Sequence, residues 1–320
     1  MILSVSRRTD IPAFYSTWFM NRIRDGYVYV RNPFNSNQIS SIPLRRDIVD
    51  FIVFWSKNPE PLMKYMPEIN SAYSGAFYFQ FTINPYERDI EPGLPELNRR
   101  IETLHKIAEI YGQEKVVWRY DPIMLTEKYT LDWHRESFYK LCQETKFSTD
   151  TCVISFIDMY DRTVKNTKQF GISSLSSNEM EEIASSFSAI ARECGITIKT
   201  CAEGIDLKKY GIEPNSCIDQ NRIEKIIDCR IHARPDHQRE NCHCIECADI
   251  GQYNTCMHGC RYCYANCNEA LVRQTVASHD DESPLLSGTI SDTCVIKDYS
   301  KAKSFREPSQ PEQLTLFSCI

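Results

Sequence analysis

Six short runs of apolar, β-branched and aromatic residues punctuate the first two hundred positions: ILSVS (2–6), FIVFW (51–55), AFYFQF (76–81), KVVW (115–118), CVISF (152–156) and ITIKTC (196–201). Such near-continuous runs belong to strands buried on both faces, as in a parallel sheet covered by helices. Helical patterns lie between them. Pro95 opens one in which Leu97, Ile101, Leu104, Ala108 and Tyr111 share a face and Gly112 is the stop. Ser176 and Glu179 form a capping box before another, with Met180, Ile183, Phe187, Ile190 and Cys194 at helical spacing. A hairpin over 27–42 decorates the first crossover.

Strands alternating with helices predict an α/β fold. Six βα units fall short of a full eight-stranded barrel, leaving a partial (β/α)6 TIM-type barrel or an open sheet. The strand ends favour the barrel. Each run stops at polar groups: Arg7, Arg8 and Asp10; Ser56, Lys57 and Asn58; Thr82 and Asn84; Arg119 and Asp121; Asp158; and Glu203. In barrels the C-terminal strand ends face the active site and several strands contribute to it. Loops are polar in general, but six recurrences favour the functional reading, with Arg7, Arg8, Asp10, Lys57, Asn58, Arg119, Asp121 and Glu203 as candidate catalytic residues.

The boundaries read as a partial barrel over 1–204, a cysteine-rich region over 205–270 with little periodicity, and a linker and tail over 271–320. Within the last, 278–292 is read as linker. Net charge is −6, which argues against a broad nucleic-acid-gripping face and leaves only local contact. No apolar run is long enough to span a membrane, and the start lacks a basic-then-apolar secretory pattern, so a cytoplasmic location is expected. No nucleophile elbow, phosphate-cradling loop or GxGxxG occurs among only 11 glycines.

Cysteine carries the chemistry. Of 15 cysteines, ten fall between Cys201 and Cys267; a disulfide framework would be spread along the chain, whereas a metal-binding region clusters. Cys142, Cys152 and Cys194 lie in apolar patterns and are read as core thiols. Cys256, Cys260 and Cys263 are spaced so that one compact loop can wrap a cluster. Three thiolates on a cluster that normally takes four leave one iron open, as a catalytic centre requires. His258, inside the loop, is read as a spacer.

This CxxxCxxC with Tyr262 before its last cysteine resembles the cluster motif of the radical S-adenosylmethionine superfamily, and Tyr264-Ala265-Asn266 resembles its spore photoproduct lyase-like branch. The resemblance implies a [4Fe–4S] cluster on the three cysteines and S-adenosylmethionine on the open iron. Tyr262, Tyr264 and Asn266 are then cofactor-binding, and an electron donor of flavodoxin or ferredoxin type supplies the reductant. It also implies a partial (β/α)6 barrel. SVSRRTDIPAFY, VFWSKNP, WRYDPI and CxCxxxxDIGxYxxCxxGCxYCYAN further resemble an uncharacterised bacterial family with a C-terminal radical-SAM-like cysteine cluster. In the superfamily the triplet usually follows the first strand; here it follows the sixth, so its loop must fold back over the strand ends.

Cys201, Cys217, Cys242 and Cys244 are enough for a second, closed four-thiolate cluster, with Cys229, Cys247 and Cys267 as alternatives or bystanders. Zinc remains an alternative: Cys242, Cys244 and Cys247 with the triplet could build one or two zinc sites. Arg7 and Arg8 would suit a phosphate or carboxylate, or a salt bridge to Asp10 or Asp121. His105 and His134 are read as surface or satisfied structural residues. Gln313–Phe317 resembles the peptide by which bacterial repair proteins dock on the sliding clamp, and could equally tuck against its own barrel. The expectation is a radical S-adenosylmethionine enzyme acting on an unknown substrate, with a nucleotide or nucleic-acid substrate suggested by the photolyase-like resemblance and the tail. The alternatives are a zinc-dependent barrel hydrolase or nuclease, and a non-catalytic metal-stabilised binding module.

Overall fold

The computed structural model describes residues 1–236 and 241–307. Eleven strands form among them: β1 (Ile2–Val5), β2 (Tyr27–Asn32), β3 (Asn35–Pro43), β4 (Phe51–Ser56), β5 (Phe77–Thr82), β6 (Val116–Ile123), β7 (Thr151–Phe156), β8 (Thr197–Cys201), β9 (Glu213–Asn215), β10 (Ala248–Asp249) and β11 (Val295–Asp298). Eight make one sheet in the order β10-β1-β4-β5-β6-β7-β8-β9. Every pairing in it is parallel, with Leu3 opposite Ile52 and Ile52 opposite Phe77. All six expected strands are therefore present and in chain order. The two outermost strands, β9 and β10, come from the cysteine-rich region, which is built into the sheet at both edges. Their few residues carry no period a reader could detect.

The expected helices span Leu97–Tyr111 and Ser177–Glu193, and a third spans Leu131–Thr145. The second opens on the capping box: Ser176 Oγ accepts from Glu179 N at 3.3 Å, and Glu179 Oε2 from Ser176 N at 2.7 Å. Gly112, at φ 100°, ends the first. Trp118 of β6 stacks on Phe138 at 5.2 Å, and Phe138 on Phe187 at 3.8 Å, joining the sheet to both later helices. Fully burying each such ring contributes about 3 kcal/mol. On the other face of the strands, alternate residues such as Gln80 and Thr82, or Arg119 and Asp121, point into one cavity.

The hairpin forms as β2 and β3, antiparallel, and β11 adds to β3 in parallel. Residues 278–292 are not a linker. Leu285 and Leu286 are buried, Ser283 O accepts from Trp18 Nε1 at 2.8 Å, and Glu282 O accepts from Arg22 Nη2 at 3.0 Å. Trp18 and Arg22 are themselves buried and need these acceptors, which ties the segment to the helix Ser16–Asp25. Gln313–Phe317 lies outside the described residues. No helix among the described residues is long and apolar enough to cross a membrane.

Candidate functional site

The cysteine triplet reaches the sheet through β10. Ala248 and Asp249 pair with Leu3 and Ser4 of β1, so the loop that follows emerges beside the C-terminal end of β1. The triplet is late in the chain but follows the edge strand of the sheet. Groups from the segments after β1 and β5 then hold the loop along its length. Tyr15 Oη donates to Thr255 O at 2.6 Å, Gly93 N to His258 O at 2.9 Å, Arg261 N to Ile90 O at 3.0 Å, and Tyr264 Oη to Arg7 O at 2.7 Å. Gly259 turns the chain at φ 68°, a conformation that favours glycine. Gly93 lies so close that a Cβ there would stand 2.6 Å from His258 O.

Asp10 is the hub of this attachment. Its Oδ1 accepts from Ser56 Oγ at 2.7 Å and Ala13 N at 3.0 Å; its Oδ2 accepts from Lys57 N at 2.8 Å and His258 Nε2 at 2.8 Å. With four donors satisfied and the carboxylate buried, Asp10 organises the site. His258 is correspondingly not a spacer: it is buried and anchors the triplet loop to β1 and β4.

Tyr262, the aromatic before the last cysteine, donates to Glu91, which also accepts from Lys57 Nζ at 3.0 Å and Asn84 Nδ2 at 3.2 Å. Burial pushes the Glu91 carboxyl up, but Lys57 and Arg100 outweigh it and hold it below its ordinary range. Lys57 also lies 5.4 Å from the centre of the Tyr262 ring.

The four upstream cysteines meet. Parallel pairing sets Cys201 opposite Asn215, bringing Cys217 beside the end of β8. The segment carrying Cys242 and Cys244 runs along it: Ser216 Oγ donates to His243 O at 2.7 Å, Ile245 N to Ile218 O at 3.3 Å, and Ile218 N to the Cys244 sulfur at 3.4 Å. The Cys201 and Cys217 sulfurs are 3.0 Å apart. Cys217 contacts Cys244, and Cys244 contacts Cys242. Tyr78 Oη and Gln80 Nε2 brace the Cys217 carbonyl at 2.6 and 2.7 Å. Arg119 Nη1 points at the Cys217 sulfur from 3.1 Å. None of the four is in a disulfide.

Both cysteine groups line one cavity of about 550 Å³, within the range of small-molecule sites. Of the candidate catalytic groups, Arg7, Arg8, Asp10, Lys57, Arg119 and Asp121 line it; of the cofactor candidates, Tyr262 and Tyr264 do; and all seven cysteines named for metal do. Asn58, Glu203 and Asn266 do not. Asn58 turns its backbone N–H to Ser56 Oγ. Glu203 accepts from Phe156 N at 3.0 Å, and burial, then nearby acidic groups, push its carboxyl up to about 8. Asn266 Nδ2 donates to Cys256 O at 2.8 Å, within the triplet loop, while its Oδ1 is buried without a partner.

The arginines pair differently than expected. Arg7 and Arg8 lie 3.8 and 3.9 Å from Asp249 rather than against Asp10 or Asp121, because β10 places Asp249 beside β1. Burial opposes the Arg7 charge, but Cys247 and Asp249 outweigh it; its Nη2 stands 3.2 Å from the Cys247 sulfur. Arg119 pairs with Asp121, which also accepts from Ser155. Trp55 lies between two guanidiniums, 5.7 Å from Arg7 and 5.6 Å from Arg119.

The triplet thiols are partly open to the cavity yet deep in the fold. Burial first, then neighbouring thiols and acids, pushes Cys256 well up; burial pushes Cys260 up to about 12 and raises Cys263. Bringing them to the thiolate form needs positive charge among them, which is what a bound metal supplies. Among the described residues no group of three or more His, Cys, Asp or Glu side chains stands at the separation from which a single metal ion is held.

Sequence reasoning missed Glu91, Asp249, Trp55 and the role of His258. Asp249 falls inside the DIG step next to the triplet and His258 inside the triplet, so both were near a signal. Glu91 sits in an unpatterned loop and Trp55 at the end of an apolar strand, where neither stands out.

No curated protein and no solved structure matches the chain. A family model described as a domain of unknown function matches residues 2–265. The whole eight-stranded sheet and the complete triplet fall inside that match, and the chain belongs to this family, DUF1848.

Proposed function

We propose that this protein is a radical S-adenosylmethionine enzyme on a curved, partial-barrel form of the parallel sheet. Cys256, Cys260 and Cys263 would hold a [4Fe–4S] cluster, and the cavity would take S-adenosylmethionine and a substrate. The observation that carries the reading is the cavity itself: the triplet and the ends of β4, β5, β6 and β8 line one space of about 550 Å³. Loaded this way, the cluster supplies a one-electron cleavage of the cofactor's sulfonium that yields a 5′-deoxyadenosyl radical.

The chain's own residues then have definite tasks. Asp10, His258 and Gly93 fix the loop so that its three sulfurs face the cavity. Glu91 and Asn84 hold Tyr262 against its last turn. Lys57 presents positive charge near Cys260 and Cys263 and favours their thiolate forms. Arg7, Arg8, Arg119 and Lys57 are also the groups from which an anionic part of cofactor or substrate would take hydrogen bonds. Trp55, Tyr253 and Tyr264 give the cavity aromatic wall, suited to a nucleoside face. That suits a nucleotide-like or nucleic-acid substrate, with a flavodoxin- or ferredoxin-type electron donor. β10 supports the family resemblance further. It stands next to β1 with the triplet after it, so the cluster loop follows an edge strand, as in a sheet whose first strand has been moved to the end of the chain.

A zinc hydrolase would gather histidines at the mouth; among the described residues lining the cavity the histidine is His258, already held by Asp10. The test is anaerobic incubation of reconstituted protein with S-adenosylmethionine and dithionite, with chromatography for 5′-deoxyadenosine. Its release from the wild type and not from Cys260→Ala supports the reading. A colourless zinc protein that releases none excludes it.

A further inference from the structure

We infer that Cys201, Cys217, Cys242 and Cys244 form a second metal centre, a four-thiolate iron–sulfur cluster on the wall of the same cavity. This inference stands on its own geometry and does not require that the triplet bind S-adenosylmethionine.

Four cysteines from three separate segments are brought to one place, and the fold invests specific contacts in bringing them there. β9 exists to pair with β8 over three residues, and that pairing sets Cys217 against Cys201 with sulfurs 3.0 Å apart. None of the four is in a disulfide, and four thiols gathered from three segments supply the ligand set that a shared metal centre takes.

Donors already stand where thiolate charge would need them. Arg119 Nη1 is 3.1 Å from the Cys217 sulfur, and Ile218 N is 3.4 Å from the Cys244 sulfur. Hydrogen bonds of this kind tune iron–sulfur centres. Ala202, next after Cys201, takes φ 54° without being glycine; a left-handed alanine carries strain that persists where surroundings impose it.

Iron–sulfur is favoured over zinc because the sulfurs face an open cavity into which a cluster can extend, whereas a structural zinc site is closed by its own ligands.

The test is iron, sulfide and zinc analysis of the anaerobically reconstituted full chain and of the variant Cys256→Ala/Cys260→Ala/Cys263→Ala. Two clusters give about eight irons per wild-type chain, and the triple variant keeps about half of them with an EPR signal on reduction. Adding Cys217→Ser and Cys244→Ser then removes the remainder. A triple variant with no iron, or zinc in place of the retained iron, overturns the inference; iron near four in the wild type that the triple variant keeps counts against the triplet instead. Should the triple variant fail to fold, Cys217→Ser/Cys244→Ser in the otherwise unchanged chain decides: loss of about four irons supports the inference and no loss overturns it. Failure of the proposed function would look different: about eight irons, but a triplet cluster indifferent to S-adenosylmethionine.

Discussion

His258 Nε2 donates to Asp10 Oδ2 at 2.8 Å, a bond between residues 248 positions apart. It fastens the cysteine-triplet loop to the end of β1, and the same carboxylate reaches Ser56 and Lys57 at the end of β4. One buried acid thus fixes where three sulfurs stand relative to two strands.

Removing that acid leaves buried donors without an acceptor. Asp10→Ala is expected to lower the unfolding free energy of the apo protein by about 4 kcal/mol, and His258→Ala by only about 1–2 kcal/mol. Urea denaturation measures both. Equal losses would show that Asp10 is not the hub.

Gly93 has no room for a side chain, since its Cβ would stand 2.6 Å from a backbone oxygen of the triplet loop. Gly93→Ala should cut the iron bound on reconstitution at the triplet at least several-fold, while far-UV circular dichroism stays unchanged. Iron loading equal to wild type would mean that the loop adjusts freely.

The segment 278–292 behaves as a strap in this account. Leu286→Ala should cost about 2–3 kcal/mol, as for a core leucine. A change within about 0.5 kcal/mol would restore the linker reading.

His134 is buried between Tyr120 Oη at 2.8 Å and Met124 O at 2.9 Å. Burial pushes its pKa down to about 4, against about 6.5 in the unfolded chain. Between these values the unfolded state binds more protons, so stability is full above about pH 6.5 and declines as pH falls toward 4. The loss from this residue is on the order of 3 kcal/mol. Unfolding measured across that window should be less steep in His134→Gln than in wild type. Parallel curves would remove His134 as the cause.

The sheet was readable because buried parallel strands leave long apolar runs; all six were found where FIVFW, AFYFQF and their fellows stand. β9 and β10 were not, because strands of three and two residues have no period. The cysteines were legible as residue types and spacings. That Cys201 and Cys217 touch was not, since it depends on β9 pairing with β8. Charge partners were the least legible: Arg7 could face any of several acids until β10 placed Asp249 beside it. Polar anchors such as Glu91 and His258 act by position in space, which composition does not encode.

The most direct test of the central claim is the EPR spectrum of the reduced, anaerobically reconstituted protein with and without S-adenosylmethionine. An open iron on the Cys256, Cys260 and Cys263 site predicts a cluster signal that changes when the cofactor is added, with that change absent in Cys256→Ala, Cys260→Ala and Cys263→Ala. A signal unaffected by the cofactor, or zinc with no iron, would contradict it.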